Sequence, residues 1–177
     1  MDRQAVLDKA AQIKLVIFDV DGVLTDGGLI LGESGDEYKI FHARDGHGLV
    51  MLRESGCQIA VITARSSKIV AERMSALGIQ YVYQGQEDKG RALDDLLEKL
   101  DILAREVAYV GDDLIDLPAM SRVGFSVAVA DAHPVVIEMA DWKTNQPGGH
   151  GAVREVCELI MQANGTLEDQ FRRYLPS

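Results

Sequence analysis

KLVIFDVDGVLTDG, residues 14–27, is the stretch on which the reading of this chain turns. KLVIF at 14–18 has no polar alternation, the pattern of a strand buried on both faces, and it ends abruptly at Asp19. Asp21 follows two residues later and Gly22 relaxes the turn between strand and loop. A buried strand that opens onto two carboxylates is an unusual element. The rest of the chain shows what surrounds it.

GLIL at 28–31 and YKIF at 38–41 flank the turn-rich hexapeptide GESGDE, which predicts a β-hairpin over about 28–41. A helix is expected from about Asp45 to Ser55, with Asp45 as N-cap and Gly56 as its stop. QIAVIT at 58–63 reads as the next buried strand. SSKIVAERMSALG is an amphipathic helix closed by Gly78, and QYVYQ a short strand. DKGRALDDLLEKLD puts Leu93, Leu96, Leu97 and Leu100 on one helical face. VAYVG at 107–111 and FSVAVA are strands, separated by a short helix, LIDLPAMSRVG, that Pro118 interrupts. HPVVIEMA is a helix with Pro134 near its start. After the NQPGGHG loop, a last helix places Val153, Val156, Ile160 and Met161 on one face. The closing segment at about 166–177, TLEDQFRRYLPS, carries no strong pattern. A hairpin followed by repeated β-α units predicts a three-layer α/β fold with a mainly parallel sheet. No linker or repeat divides it, so residues 1–177 are expected to form one domain.

The bulk numbers narrow the partners. Eighteen basic against 28 acidic residues give a net charge of −10, which argues against nucleic acid or an anionic membrane surface as the partner. No apolar run approaches the ~20 residues of a membrane span. The opening stretch MDRQAVLDKAAQIK lacks signal-peptide shape, so a cytoplasmic location is expected. Cys57 and Cys157 are each flanked by apolar residues and read as buried thiols rather than as a disulfide or a zinc site.

Side chains of catalytic type collect at the strand exits. Asp19 and Asp21 follow the first strand, Thr63 ends the second, and Asp112, Asp113 and Asp116 follow VAYVG. Lys89 opens an intervening helix. In open parallel sheets this rim is where ligands bind. So many carboxylates in one place would raise one another's pKa unless a cation lies among them. Mg²⁺ suits a few carboxylates, water and a phosphate oxygen, so the set reads as a phosphate-plus-magnesium site. A calcium-loop reading fails: counting from Asp19, the sixth residue is Leu24 rather than Gly, and the twelfth is Ile30 rather than Glu.

With DVDGVLTDG at 19–27, VITAR at 61–65, Lys89 and GDDLIDLP at 111–118 in order, the chain resembles the haloacid dehalogenase superfamily of phosphatases. The resemblance implies a Rossmann-like domain. It also implies Asp19 as the nucleophile that forms an aspartyl phosphate and Asp21 as general acid and base. Thr63 would hydrogen-bond a phosphoryl oxygen, and Lys89 would offset developing charge. Asp112 would be a metal ligand beside the Asp19 carboxylate and the Asp21 backbone carbonyl. Asp113 and Asp116 would touch metal-bound water or Lys89, or else cap the helix that follows. Only the hairpin-bearing stretch of ~20 residues separates Asp26 from the next helix, too little for a globular cap domain.

The capless form, DGVLTDGGLILGESGDEYKIFHARDGHGL and the late NQPGGHGAVREV together resemble the 3-deoxy-D-manno-octulosonate 8-phosphate phosphatase family of the lipopolysaccharide sugar pathway. That resemblance implies a homotetramer in which hairpins assemble and neighbouring subunits complete each site. It implies a substrate with a phosphate and a carboxylate, for which Arg65 and Arg44 are the expected cations. His47, Arg154 and the tail are left without an assigned role. Two alternatives stay open on the sequence: a nine-carbon keto-acid sugar phosphate as substrate, and a phospho-acceptor signalling module. The second fits poorly, because there the acidic pair follows the first strand and the acceptor a later one.

Overall fold

A computed structural model of the chain describes residues 2–175. Five of the apolar segments anticipated above join one further short strand in a six-stranded sheet, every adjacent pair parallel. The strands are β1 (Leu15–Phe18), β4 (Gln58–Ile62), β5 (Tyr81–Tyr83), β6 (Val107–Gly111), β7 (Phe125–Ala128) and β8 (Trp142–Lys143), in the order β5-β4-β1-β6-β7-β8. β2 (Ile30–Leu31) and β3 (Glu37–Tyr38) pair antiparallel apart from it, Ile30 opposite Tyr38. Leu15, Val16, Ile17 and Phe18 are all fully buried, as a central parallel strand requires.

The helices are α1 (Arg3–Ala10), α2 (Ala43–Glu54), α3 (Lys68–Ala76), α4 (Lys89–Leu100), α5 (Leu117–Met120), α6 (Pro134–Met139), α7 (Ala152–Ala163) and α8 (Leu167–Arg172). α1 and α2 pack on α7, and α4 on α5. The chain runs outward from β1 through β4 to β5, then returns to β6 on the other side of β1. The order reverses between β1 and β6, and that crevice is where an α/β sheet of this kind receives a ligand. On α7, Val153, Val156, Ile160 and Met161 are all buried, and so are Cys57 and Cys157 as free thiols. Among the described residues no helix is long and apolar enough to cross a membrane.

Some boundaries depart from expectation for physical reasons. α2 begins at Ala43 with His42 in the cap position, so Asp45 is not its N-cap. The Asp45 carboxylate is instead buried and accepts from the Gly151 N–H at 3.2 Å and the Arg154 N–H at 2.8 Å, tying α2 to the start of α7. Pro118 does not interrupt a helix; it lies in the first turn of α5, where its missing N–H costs nothing. The tail forms α8, which has acids in its first turn and Arg172 in its last, and only Gln170 of it is buried. Pro176 and Ser177 lie outside the described residues. β8 was too short to read, and is held by pairing with β7 and by Trp142 stacking on Phe125 at 6.4 Å.

Candidate active site

Register places the site. Phe18 sits opposite Val61 of β4 and Val110 of β6, so Asp19, Thr63 and Asp112 leave three adjacent strands along one edge. Lys89 joins them from the first turn of α4, which Asp88 caps by accepting the Arg91 N–H at 3.0 Å. The Lys89 ammonium lies 2.7 Å from Asp19 Oδ2 and 2.7 Å from Asp116 Oδ1. All three side chains are buried.

Asp116 has no lone pair to spare. Besides Lys89 it accepts the Tyr109 hydroxyl at 2.9 Å and the backbone N–H groups of Asp112 and Asp113 at 3.1 and 3.2 Å. It therefore fixes both the ammonium and the turn that carries Asp112. Asp113 does something else: it is exposed and caps the short turn at Leu114–Asp116, accepting the Leu114 N–H at 2.8 Å. Of the two acids expected near Lys89, Asp116 is the one that reaches it.

Asp19, Asp112 and Asp116 each present a carboxylate oxygen within 4.8 Å of the others. Burial and then the charge of Asp116 push the Asp19 carboxyl up to about 6, against Lys89, which pulls it down. Burial, Asp116 and Asp19 push Asp112 up to about 8. Burial also works against the Lys89 ammonium, yet Asp19 and Asp116 more than offset it and its pKa is raised. Asp112 Oδ1 is buried with no hydrogen-bond partner among the described residues. A Cβ on Gly22, whose φ is +91°, would fall 2.1 Å from Asp112 Oδ2, so only glycine lets the loop close over that carboxylate. An orphaned carboxylate oxygen beside a second ionisable carboxylate fits a hard divalent cation. Asp112 keeps an oxygen for that role and Asp19, which accepts once at each oxygen from Val20 N–H and Lys89, keeps lone pairs for it; Asp116 does not.

A family model for haloacid dehalogenase-like hydrolases matches residues 75–156, which hold Lys89, Asp112 and Asp116. Over 164 residues the chain is 53% identical to the 3-deoxy-D-manno-octulosonate 8-phosphate phosphatase KdsC of Salmonella typhi, covering 93% of this chain and 87% of that protein. The chain belongs to the 3-deoxy-D-manno-octulosonate 8-phosphate phosphatase family. It is similar also to the solved phosphatase of that name from Yersinia pestis, with a TM-score of 0.91, 50% identity, and coverage of 92% and 88% of the two chains. The Moraxella catarrhalis phosphatase, solved with magnesium, phosphate and KDO, superposes with a TM-score of 0.96 at 42% identity over 98% of this chain and 100% of that one.

Within this family frame the remaining side chains form a second cluster. The Asp21 carboxylate meets cations from the hairpin and from the loop after β4: it is paired with Lys39, and its Oδ2 lies 3.7 Å from Arg65 Nε. Glu37 lies 3.5 Å from Lys39 and 3.2 Å from Arg65 Nη2. Two acids and two cations thus alternate around a closed ring. Arg65, expected to meet an anionic group of a substrate, is paired here with Asp21 and Glu37. Arg44 is exposed and makes no salt bridge among the described residues. His47 lies 3.2 Å from Arg154 and 3.0 Å from the Tyr174 hydroxyl, in a contact between α2 and the tail.

Sequence reasoning missed Lys39 and Gly148. Lys39 sits between exposed apolar residues, Tyr38 and Ile40, and its ion pairs with Asp21 and Glu37 show which way it points. A Cβ on Gly148 would fall 1.7 Å from the Gly22 carbonyl oxygen, and the Gly149 N–H donates to the Val23 carbonyl at 2.9 Å. The PGG run is therefore a backbone brace under the Asp21–Thr25 loop. Its glycines were the signal.

Proposed function

We propose that the protein is a magnesium-dependent phosphoric monoester hydrolase that converts 3-deoxy-D-manno-octulosonate 8-phosphate to 3-deoxy-D-manno-octulosonate and phosphate, with Asp19 as nucleophile. The observation that carries the reading is the buried Asp19 carboxylate 2.7 Å from the Lys89 ammonium, beside Asp112 Oδ1, which has no hydrogen-bond partner among the described residues. Asp19 and Asp112, with the Asp21 backbone carbonyl, would hold Mg²⁺. When bound, the cation neutralises charge on the phosphoryl oxygens and on Asp19.

The Asp19 oxygen attacks phosphorus in line, forming an aspartyl phosphate as the bond to the sugar oxygen breaks. Asp21 gives that oxygen its proton. It then takes a proton from the water that attacks the aspartyl phosphate, which frees phosphate and restores Asp19. Lys89 balances charge on the transferring group, and the Thr63 hydroxyl donates to a phosphoryl oxygen. Asp116 positions Lys89, and Asp113 caps the turn that follows. Arg65 and Arg44 are the cations for the anionic groups of the sugar.

Leu29, Ile30, Leu31, Tyr38 and Ile40 are all exposed on the hairpin. An apolar ribbon of this kind favours assembly, which supports a homotetramer whose neighbours complete each site. The reading places the enzyme in the cytoplasm, in lipopolysaccharide sugar synthesis. A panel of sugar phosphates assayed with and without Mg²⁺, on wild type and Asp19→Asn, tests it. The octulosonate phosphate should have the highest kcat/KM, and Asp19→Asn should lose at least about a thousandfold. A nine-carbon keto-acid phosphate turned over at higher kcat/KM would replace the substrate and leave the mechanism standing.

A further inference from the structure

Lys39 has the surroundings of a working group in an unlikely place. Its side chain is 1% exposed, although it lies in a hairpin whose neighbouring Tyr38 and Ile40 are 57% and 66% exposed. Extended chain sends alternate side chains to opposite faces, so the register that turns Tyr38 and Ile40 outward turns Glu37 and Lys39 toward the site. Taking an ammonium out of water costs several kcal/mol unless carboxylates meet it. Here two do, Asp21 and Glu37. Arg65 grips the same two carboxylates from β4's loop, so Lys39 is fixed from both sides.

We infer that Lys39 is a positioning residue for the acid–base step: it holds the Asp21 carboxylate where it can deliver a proton to the leaving sugar oxygen. The inference rests on Asp21 being the acid and base in the proposed mechanism. Among the described residues Lys39 makes ion pairs with Asp21 and Glu37 and none with Asp19. Its effect on the proton transfer runs through Asp21, while its second partner is Glu37.

The test varies the leaving group. kcat/KM covers only the steps through release of the alcohol, so it reads the first proton transfer and not the later water attack. The octulosonate phosphate releases an alkoxide that needs a proton, whereas p-nitrophenyl phosphate releases a phenolate that does not. Lys39→Met should lower kcat/KM for the sugar phosphate about 30-fold or more and that for p-nitrophenyl phosphate less than about threefold. Lys39→Gln, read the same way, serves if the methionine variant does not fold, and Lys39→Arg should restore most of the loss. Asp21→Asn should show the same selectivity, and adding Lys39→Met to it should change little, within about twofold. Equal losses on both substrates, or a Lys39 effect that multiplies that of Asp21→Asn, would overturn the inference while leaving Asp21's role intact. Absence of leaving-group selectivity in Asp21→Asn itself would overturn the acid–base reading and the inference with it.

Discussion

Two lysines in this molecule are hidden from water, and each lies between two carboxylates, yet they are hidden by different means. Lys89 opens α4 in the middle of the fold; its side chain is 0% exposed, and its partners Asp19 and Asp116 are 7% and 0% exposed. Lys39 hangs from a two-stranded ribbon, and its partners Asp21 and Glu37 are each 20% exposed. Lys89 is held by the sheet and by the hydrogen bonds that saturate Asp116. Lys39 is held chiefly by charge. The first arrangement suits phosphoryl transfer, which needs fixed electrostatics. The second suits a proton carrier at the open edge of the site, next to the surface proposed for assembly.

The sharpest way to break this comparison is to remove each ammonium. Lys89→Met leaves two buried carboxylates uncompensated, so it should cost about 3–5 kcal/mol of stability. It should also lower kcat roughly 100- to 1,000-fold. Lys39→Met should cost only about 1 kcal/mol, because water still reaches its partners. Denaturant unfolding of both variants reads the difference directly, and equal losses would erase the distinction between core and ribbon.

The next effect is on the loop that carries Asp21, the partner of Lys39. Gly148→Ala forces a methyl into the Gly22 carbonyl and should displace the Asp21 turn. A loss of roughly 10- to 100-fold in kcat is expected, with KM nearly unchanged for a site displaced rather than dismantled. Wild-type turnover in Gly148→Ala would show that the PGG brace is packing alone.

Protons at the acidic cluster give a smaller, graded effect. In the metal-free protein Asp112 keeps its proton up to about pH 8, against 3.8 for an ordinary Asp. Folding therefore takes up a proton in that window, and metal-free stability falls as pH rises from about 4 to 8, then levels. A cation must displace that proton. Apparent Mg²⁺ affinity should then rise by up to about tenfold per pH unit toward pH 8 and flatten above it. Calorimetric titration at several pH values measures it, and a pH-independent affinity would mean that Asp112 is not the group displaced. Smallest of all, Tyr174→Phe removes one exposed hydroxyl contact to His47 and should move stability by less than about 0.5 kcal/mol, seen as an almost unchanged unfolding midpoint.

Much of this was legible in the chain because the strands are continuous apolar runs with abrupt polar ends. LVIF with Asp19, and VAYVG with Asp112, show both the sheet and the edge on which the acids collect. Lys89 and Thr63 followed from their places in that order. What stayed hidden depends on contacts that have no local signature. Asp45 looked like a cap for its own helix, and it caps α7 more than a hundred residues away. Lys39 lay in a stretch too short and too exposed for burial to be guessed. Glu37 looked like part of a turn and instead bridges Lys39 and Arg65. β8 and α8 are short, and tertiary packing rather than propensity holds them.

The central claim is that Asp19 takes the phosphoryl group before water does. The stereochemical course at phosphorus tests it most directly, using an isotopically chiral phosphate ester hydrolysed in labelled water. Two successive in-line displacements, first by Asp19 and then by water, predict overall retention of configuration. Inversion would mean that water attacks the substrate itself and that Asp19 is not the nucleophile.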